Sequence, residues 1–145
     1  MGLGTHLGLI LVYLGGSIGF NSWLIKGFMD TISPSLDEAA KVDGANDFQI
    51  FTKVIAPLAR PILVVIFVIT FIGIYSDYIL AAIFLKDKNL WTVAVGINTV
   101  FVDDFNADWG VIAASSVLAA APIATLFVFF QKQITGGLTA GSVKG

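Results

Sequence analysis

Residues 33–61 read "SPSLDEAAKVDGANDFQIFTKVIAPLARP", a polar, punctuated stretch in a chain that is 57% hydrophobic. The punctuation specifies two short helices joined at a glycine. Ser33 caps the first helix with Pro34 at its first position, or Ser35 caps it with Glu38 as the partner in a capping box. Leu36, Ala39 and Ala40 recur at helical spacing, and Asp37 with Lys41 is a favourable i,i+4 pair. Gly44 stops that helix, because glycine takes the left-handed conformation at low cost. Asn46 with Gln49 three residues later marks a second helix start. The second helix carries Phe48, Phe51 and Ile55 on one face and Ile50 with Val54 on another. The steric restriction on the residue before a proline predicts that it ends before Pro57.

Outward from this segment the chain is almost devoid of charge. Only 12% of the 145 residues are charged and the mean hydropathy is +0.89, against roughly 25% charged residues in an ordinary soluble domain. Three apolar runs, residues 7–25, 62–85 and 110–130, are each about long enough to cross a bilayer. The expected fold is therefore all-α: a polytopic transmembrane helical protein with three spans and a short helix–turn–helix between the first two. A net charge of −2 with a pI near 5.0 excludes the basic stripe that nucleic acid demands. There is no cysteine, so a disulfide framework or thiolate metal site is excluded. The opening "MGLGTH" lacks a cationic region, so the first run reads as a retained span rather than a cleaved signal. Three spans are few for a translocation pathway, so the sequence reads as a partial gene product or a half-length permease.

Within the first run, Gly15 and Gly19 are four apart, a spacing that lets helix backbones approach closely in lipid. The second run is expected to begin at Pro61 and carries one charge, Asp77. At about 1.5 Å per residue, Asp77 lies roughly 24 Å beyond Pro61, in the outer part of a hydrocarbon core about 30 Å thick. Flanked by Tyr75 and Tyr78, it reads either as lining a pathway or as an interfacial anchor. The third run has Ser115, Ser116, Ala119 and Ala120 in its first half, and Pro122 is expected to kink it.

Basic residues set the orientation. Lys26, Lys41, Lys53 and Arg60 lie around the punctuated segment, and Lys132 and Lys144 in the tail. Only Lys86 and Lys88 fall between the second and third runs, offset by Asp87, Asp103, Asp104 and Asp108. The segment 33–57 and the tail 131–145 are thus expected in the cytoplasm, with the N-terminus and the loop 86–109 outside. Residues 90–102 of that loop, half apolar, are expected along the membrane surface or against a partner. Trp91 and Trp109 read as interfacial anchors. The acid trio at 103, 104 and 108 lacks the alternation and glycine of a calcium loop, so no metal site is expected. The single histidine, His6, has no nucleophile at a catalytic spacing and reads as a surface residue.

The segment 33–61 is acidic overall, whereas helices that rest on lipid tend to be basic. Its alanine ridge suits insertion into a protein cleft. Here the residues resemble a known family. "EAAKVDGA" followed by "VIAP" is similar to the EAA loop of binding-protein-dependent ABC importer permeases, a pattern of EAA, three residues, G, nine residues, I, one residue, LP. Glu38, Ala39, Ala40, Gly44 and Pro57 match it at the right spacing, with Asp43 and Ala45 also typical. Val54 stands in place of the isoleucine and Ala56 in place of the leucine. "YSDY" at 75–78, "DWG" at 108–110 and "GLTAGSVKG" at 137–145 resemble the carbohydrate branch of that family. The likeness covers the whole chain and corresponds to the C-terminal half of a six-span permease.

The resemblance implies a transport subunit, not an enzyme, in an ATP-driven sugar importer of the inner membrane. Its implied partners are cytoplasmic ATPase subunits, a second permease subunit, an extracytoplasmic sugar-binding protein and the lipid bilayer. It implies that Glu38, Ala39, Ala40, Asp43, Gly44, Ala45 and Pro57 couple ATPase closure to the spans. Asp77, the one charge within a span, is with Tyr75 and Tyr78 the candidate border of the sugar path. No GxxxxGK[ST] phosphate loop occurs, so no nucleotide or other cofactor is expected in this chain. The rival reading is a membrane scaffold or non-transporting assembly fragment of such a transporter.

Overall fold

The computed structural model describes residues 4–103 and 109–140, and among them the chain is helical with no strand. Long apolar runs favour this outcome, because a helix satisfies its backbone groups internally where no water is available. The first helix, α1 (His6–Met29), is entered at Thr5, whose hydroxyl accepts from the Gly8 N–H at 3.2 Å. It ends beside Asp30, which pairs with Lys26 at 2.7 Å. Helix α2 (Pro34–Val42) follows, and then α3 (Asp47–Ile50), a π turn at Phe51–Ile55 and α4 (Ala56–Tyr75). After a break come α5 (Ile79–Phe84), a 3₁₀ turn at Lys88–Leu90, α6 (Val93–Asp103) and α7 (Trp109–Ala140).

Among the described residues, three helices are long and apolar enough to cross a membrane: His6–Met29, Asp47–Tyr75 and Trp109–Gln133. The first and third contain the runs expected from the sequence. The second differs. A single helix runs from Asp47 through Pro57 and Pro61 to Tyr75 and stops there, where the sequence reading begins a span at Pro61 and continues it to residue 85. The π turn explains the first proline. The Ala56 N–H bonds back to the Phe51 carbonyl, five residues away, and this wider turn accommodates a residue that has no N–H of its own. Pro61 lies inside α4 without ending it, and Pro122 lies inside α7, which is likewise unbroken.

The described residues fall into two compact units, one within Met1–Ile18 and Val68–Phe129, the other within Gly19–Phe67 and Phe130–Gly145. In the first, Leu9, Ala81, Leu85 and Val95 form a buried cluster, with Tyr13, Phe84, Leu90 and Trp91 packed around it. Val95 comes from α6, so the segment expected along the membrane surface or against a partner packs in part on this chain. Trp91, expected as an interfacial anchor, also joins this cluster, while its ring carries the Lys88 ammonium at 5.6 Å. His6 fixes the same corner through an Nε2–H bond of 2.9 Å to the Leu90 carbonyl; a carbonyl can only accept, so that nitrogen carries the proton. In the second unit, Phe67 meets Phe130 edge-on at 5.9 Å and 70°.

The most apolar windows of the three long helices are only 11%, 17% and 6% buried. That much exposed hydrocarbon on helices of spanning length calls for lipid or protein around them. Asp104, Asp108 and the residues 141–145, which carry part of the acid trio and of the C-terminal resemblance, lie outside the described residues.

Candidate functional site

The punctuated segment folds as a helix, a left-handed glycine and a second helix, and each join is closed by named hydrogen bonds. Ser33 is the N-cap of α2, its hydroxyl accepting from the Ser35 N–H at 3.4 Å, with Pro34 at the first position. Of the two starts the sequence leaves open, the Ser33 cap is formed. At the other end the Gly44 N–H bonds to the Lys41 carbonyl and the Ala45 N–H to the Ala40 carbonyl, both at 3.0 Å. Those two bonds with Gly44 at φ +80° form a Schellman motif. Asn46 and Gln49 then complete a reciprocal box: the Gln49 N–H donates to Asn46 Oδ1 at 2.9 Å, and the Asn46 N–H to Gln49 Oε1 at 3.0 Å. Only Ala45, the last donor of the closing motif, stands between Gly44 and Asn46. The bend is therefore specified on both sides.

On this element Lys41 reaches Asp37 at 2.7 Å. That hydrogen bond, reinforced by the carboxylate's charge, holds the Lys41 ammonium above the ordinary lysine range. Glu38, Ala39 and Asp43 are exposed, and Ala40 and Ala45 half-buried. Leu36, Val42, Phe48 and Phe51 are exposed as well, Val42 at 87% and Phe48 at 75%. Ile50 is buried, but Val42 and Phe48 leave this two-helix element an exposed apolar surface suited to a partner. Pro57, the last residue of the pattern, stands one residue into α4.

The second constellation lies where α4 ends. The Ser76 N–H still bonds to the Ile72 carbonyl at 3.0 Å, but the Asp77 N–H shifts to the Ile74 carbonyl at 3.3 Å, and the helix stops. Asp77 is thus held in a break between α4 and α5, not inside a continuous span. Its Oδ2 accepts a 2.6 Å hydrogen bond from the Tyr13 hydroxyl. Phe71 stacks on the Tyr75 ring at 5.5 Å and 16°. Tyr75, Ser76 and Tyr78 form one side of a cleft of about 390 Å³ whose other sides come from α6 and α7, with Asn98, Ala119 and Ala120 among them. Tyr13 and Asn98 escape sequence reasoning. One is an aromatic residue in an apolar span 64 positions from its partner, and the other a lone amide in an apolar helix.

The chain matches the family model described as "Binding-protein-dependent transport system inner membrane component" over residues 2–139. It belongs to that family. The chain is similar over all 145 residues to proteins named "Maltose/maltodextrin transport system permease protein MalG". It is 47% identical to that of Vibrio vulnificus strain YJ016, 46% to that of Yersinia pestis and 44% to that of Escherichia coli strain K12. It covers 100% of its own length in each case but only 48%, 47% and 48% of those proteins. The chain thus spans about half the length of the curated relatives it matches, corresponding to their C-terminal half. With three apolar helices of spanning length, it is a multi-pass inner-membrane protein. Among the described residues, no group of three or more His, Cys, Asp or Glu side chains is placed to hold a metal ion.

Proposed function

We propose that this chain belongs to a membrane-spanning permease subunit of an ATP-driven importer of maltose or maltodextrin-like sugars, and that its EAA element docks a cytoplasmic ATPase. The observation that carries the reading is the bend at Gly44. It is closed by a Schellman motif on one side and a capping box on the other, while Leu36, Val42, Phe48 and Phe51 remain exposed. A connector between spans has no need of both features. A coupling element needs a fixed shape to transmit displacement and an apolar face to bind the part that moves.

In this reading the residues 33–57 and the tail face the cytoplasm and the N-terminus faces outward. Glu38, Ala39 and Ala40 enter the ATPase, with Asp43, Gly44 and Ala45 holding the bend. The helix opened by the Asn46 box is the same helix that ends at Tyr75. Closure of the nucleotide-bound ATPase therefore moves an element joined covalently, through Pro57, to the break at Asp77. Tyr75, Asp77 and Tyr78 border the sugar path. A second permease subunit completes the pathway and an extracytoplasmic binding protein delivers the sugar. ATP hydrolysis belongs to the ATPase partner and the permease itself performs no catalysis.

The test is co-purification of the ATPase with the assembled permease, together with sugar-stimulated hydrolysis. Gly44→Pro and Glu38→Lys are expected to weaken both. If complex formation and hydrolysis survive both substitutions, the docking assignment is wrong. The scaffold reading predicts assembly without sugar uptake, so uptake by the assembled transporter separates the two.

A further inference from the structure

The π turn at Phe51–Ile55 takes up one residue more than an α turn, because the Ala56 N–H reaches back to the Phe51 carbonyl and passes over that of Thr52. Three local features favour it. The Thr52 hydroxyl donates to the Phe48 carbonyl at 2.8 Å, with the Gln49 carbonyl at 3.4 Å from the same oxygen, and a hydroxyl bonded into the preceding turn tends to bend a helix. Thr52, Val54 and Ile55 are β-branched, which lowers their preference for the α conformation. Pro57 has no N–H to give the Lys53 carbonyl. Proline alone does not call for a π turn in this chain, however. Pro61 and Pro122 lie inside α4 and α7, which are α-helical around them.

The surplus residue changes which side chains share a face. At about 100° per residue, an unbroken α-helix would put Ala59 about 180° from Ile50, and Ile66 about 160° from it. With one residue taken up in the π turn, those angles fall to about 80° and about 60°. Ile50, Ala59 and Ile66 are all buried, at 3%, 5% and 9% exposure. The π turn thus gathers onto one side three side chains that an α-helix of the same sequence would divide between two. Phe48, about 200° round α3 from Ile50, is turned outward in consequence and is 75% exposed.

We propose that the π turn is a register compensator: its surplus residue sets the rotation of the EAA element about the axis of α4, so that Ile50 packs inward and Phe48 faces the ATPase. Thr52 and Pro57 act there as positioning residues. The proposal rests on the docking reading for the identity of the partner and adds what aims the docking face. The simplest rival is a π turn that only relieves Pro57 and has no bearing on orientation.

A deletion and an insertion separate the two. Lys53 is exposed and lies within the turn. Deleting it leaves the number of residues that an α-helix needs to keep Ile50 and Ala59 on one side, so the turn closes as α and the faces stay aligned. Inserting one alanine after Lys53 adds a second surplus residue and turns the EAA element by about 100°. Without a compensator, the two changes rotate the element by the same angle in opposite senses and do equal damage.

The chain contains no cysteine, so Ile50→Cys supplies its only thiol. N-ethylmaleimide labelling of that thiol is measured in membranes that hold the transporter's membrane subunits without the ATPase. Protection is expected in the parent and in the deletion variant, and loss of protection in the insertion variant. In the assembled transporter, without the added cysteine, the deletion variant is expected to retain the ATPase and the insertion variant to lose it. Equal labelling of the two variants, or loss of the ATPase from both, overturns the proposal. Lys53→Ala controls for the missing side chain: a deletion variant that fails to assemble where Lys53→Ala succeeds also overturns it. A wild-type transporter that retains no ATPase defeats the docking reading itself, and the labelling pattern then decides the register alone.

Discussion

The Tyr13 hydroxyl donates a 2.6 Å hydrogen bond to the Asp77 carboxyl across 64 residues of sequence. It ties the first apolar helix to the break that follows α4. Both side chains are half-buried, so the bond is shielded from water but not sealed.

Tyr13→Phe removes the donor and keeps the ring. Loss of a partly buried hydrogen bond of this kind is expected to lower stability by about 1 kcal/mol, read as a lower melting temperature of the assembled complex. Asp77→Asn keeps an acceptor and is expected to be milder, while Asp77→Leu strands the Tyr13 hydroxyl and lowers sugar uptake. The double variant Tyr13→Phe with Asp77→Leu is expected to lose less than the sum of the singles, because the two act through one bond. Strict additivity would show that the bond carries no weight.

Gly44 has φ +80°, and a Cβ built there meets nothing within 4 Å. Space is therefore not the constraint; backbone conformation is. Gly44→Ala is expected to destabilise the turn by about 1–2 kcal/mol, the cost of a left-handed L-residue, and Gly44→Asn by less. Faster amide exchange at Gly44 and Ala45, the two donors of the Schellman motif, is the measurement. Equal exchange in Gly44→Ala and Gly44→Asn would contradict the assignment.

The Asp37–Lys41 pair has a definite pH signature. The hydrogen bond to Asp37 raises the Lys41 pKa above its ordinary value, so the contribution of the Lys41 charge is fully present below the unfolded lysine pKa. That contribution is lost as pH rises through the folded one. Assembly with the ATPase should therefore show no Lys41-dependent titration between neutrality and about pH 9, well under the ordinary lysine value near 10.4. Both side chains are substantially exposed, at 53% for Lys41 and 45% for Asp37, and raised salt is expected to weaken the pair. A Lys41-dependent titration near neutrality would contradict this.

The bend was legible in the sequence because its determinants are local. Ser33, Pro34, Gly44, Asn46 and Gln49 act on backbone groups within a few residues of themselves, and the apolar runs announce helices by composition alone. The helix through the second run starts and stops earlier than expected for an equally physical reason. Pro57 and Pro61 are helix breakers in isolation, but a π turn at Phe51–Ile55 absorbs the first and the helix continues past the second. The true interruption, at residues 76–78, carries neither proline nor glycine. Asp77 was singled out as the charge in an apolar run, yet its partner Tyr13 and the cleft amide Asn98 depend on which helices pack together. No spacing rule reaches across 64 residues.

Docking of the EAA element is tested most directly by a photo-crosslinker at Val42, which is 87% exposed at the C-terminal end of α2. In the assembled transporter, illumination is expected to yield a covalent adduct between this chain and the ATPase subunit, and the adduct should diminish in Gly44→Pro. Adducts with lipid alone, or none with the ATPase, would contradict the account.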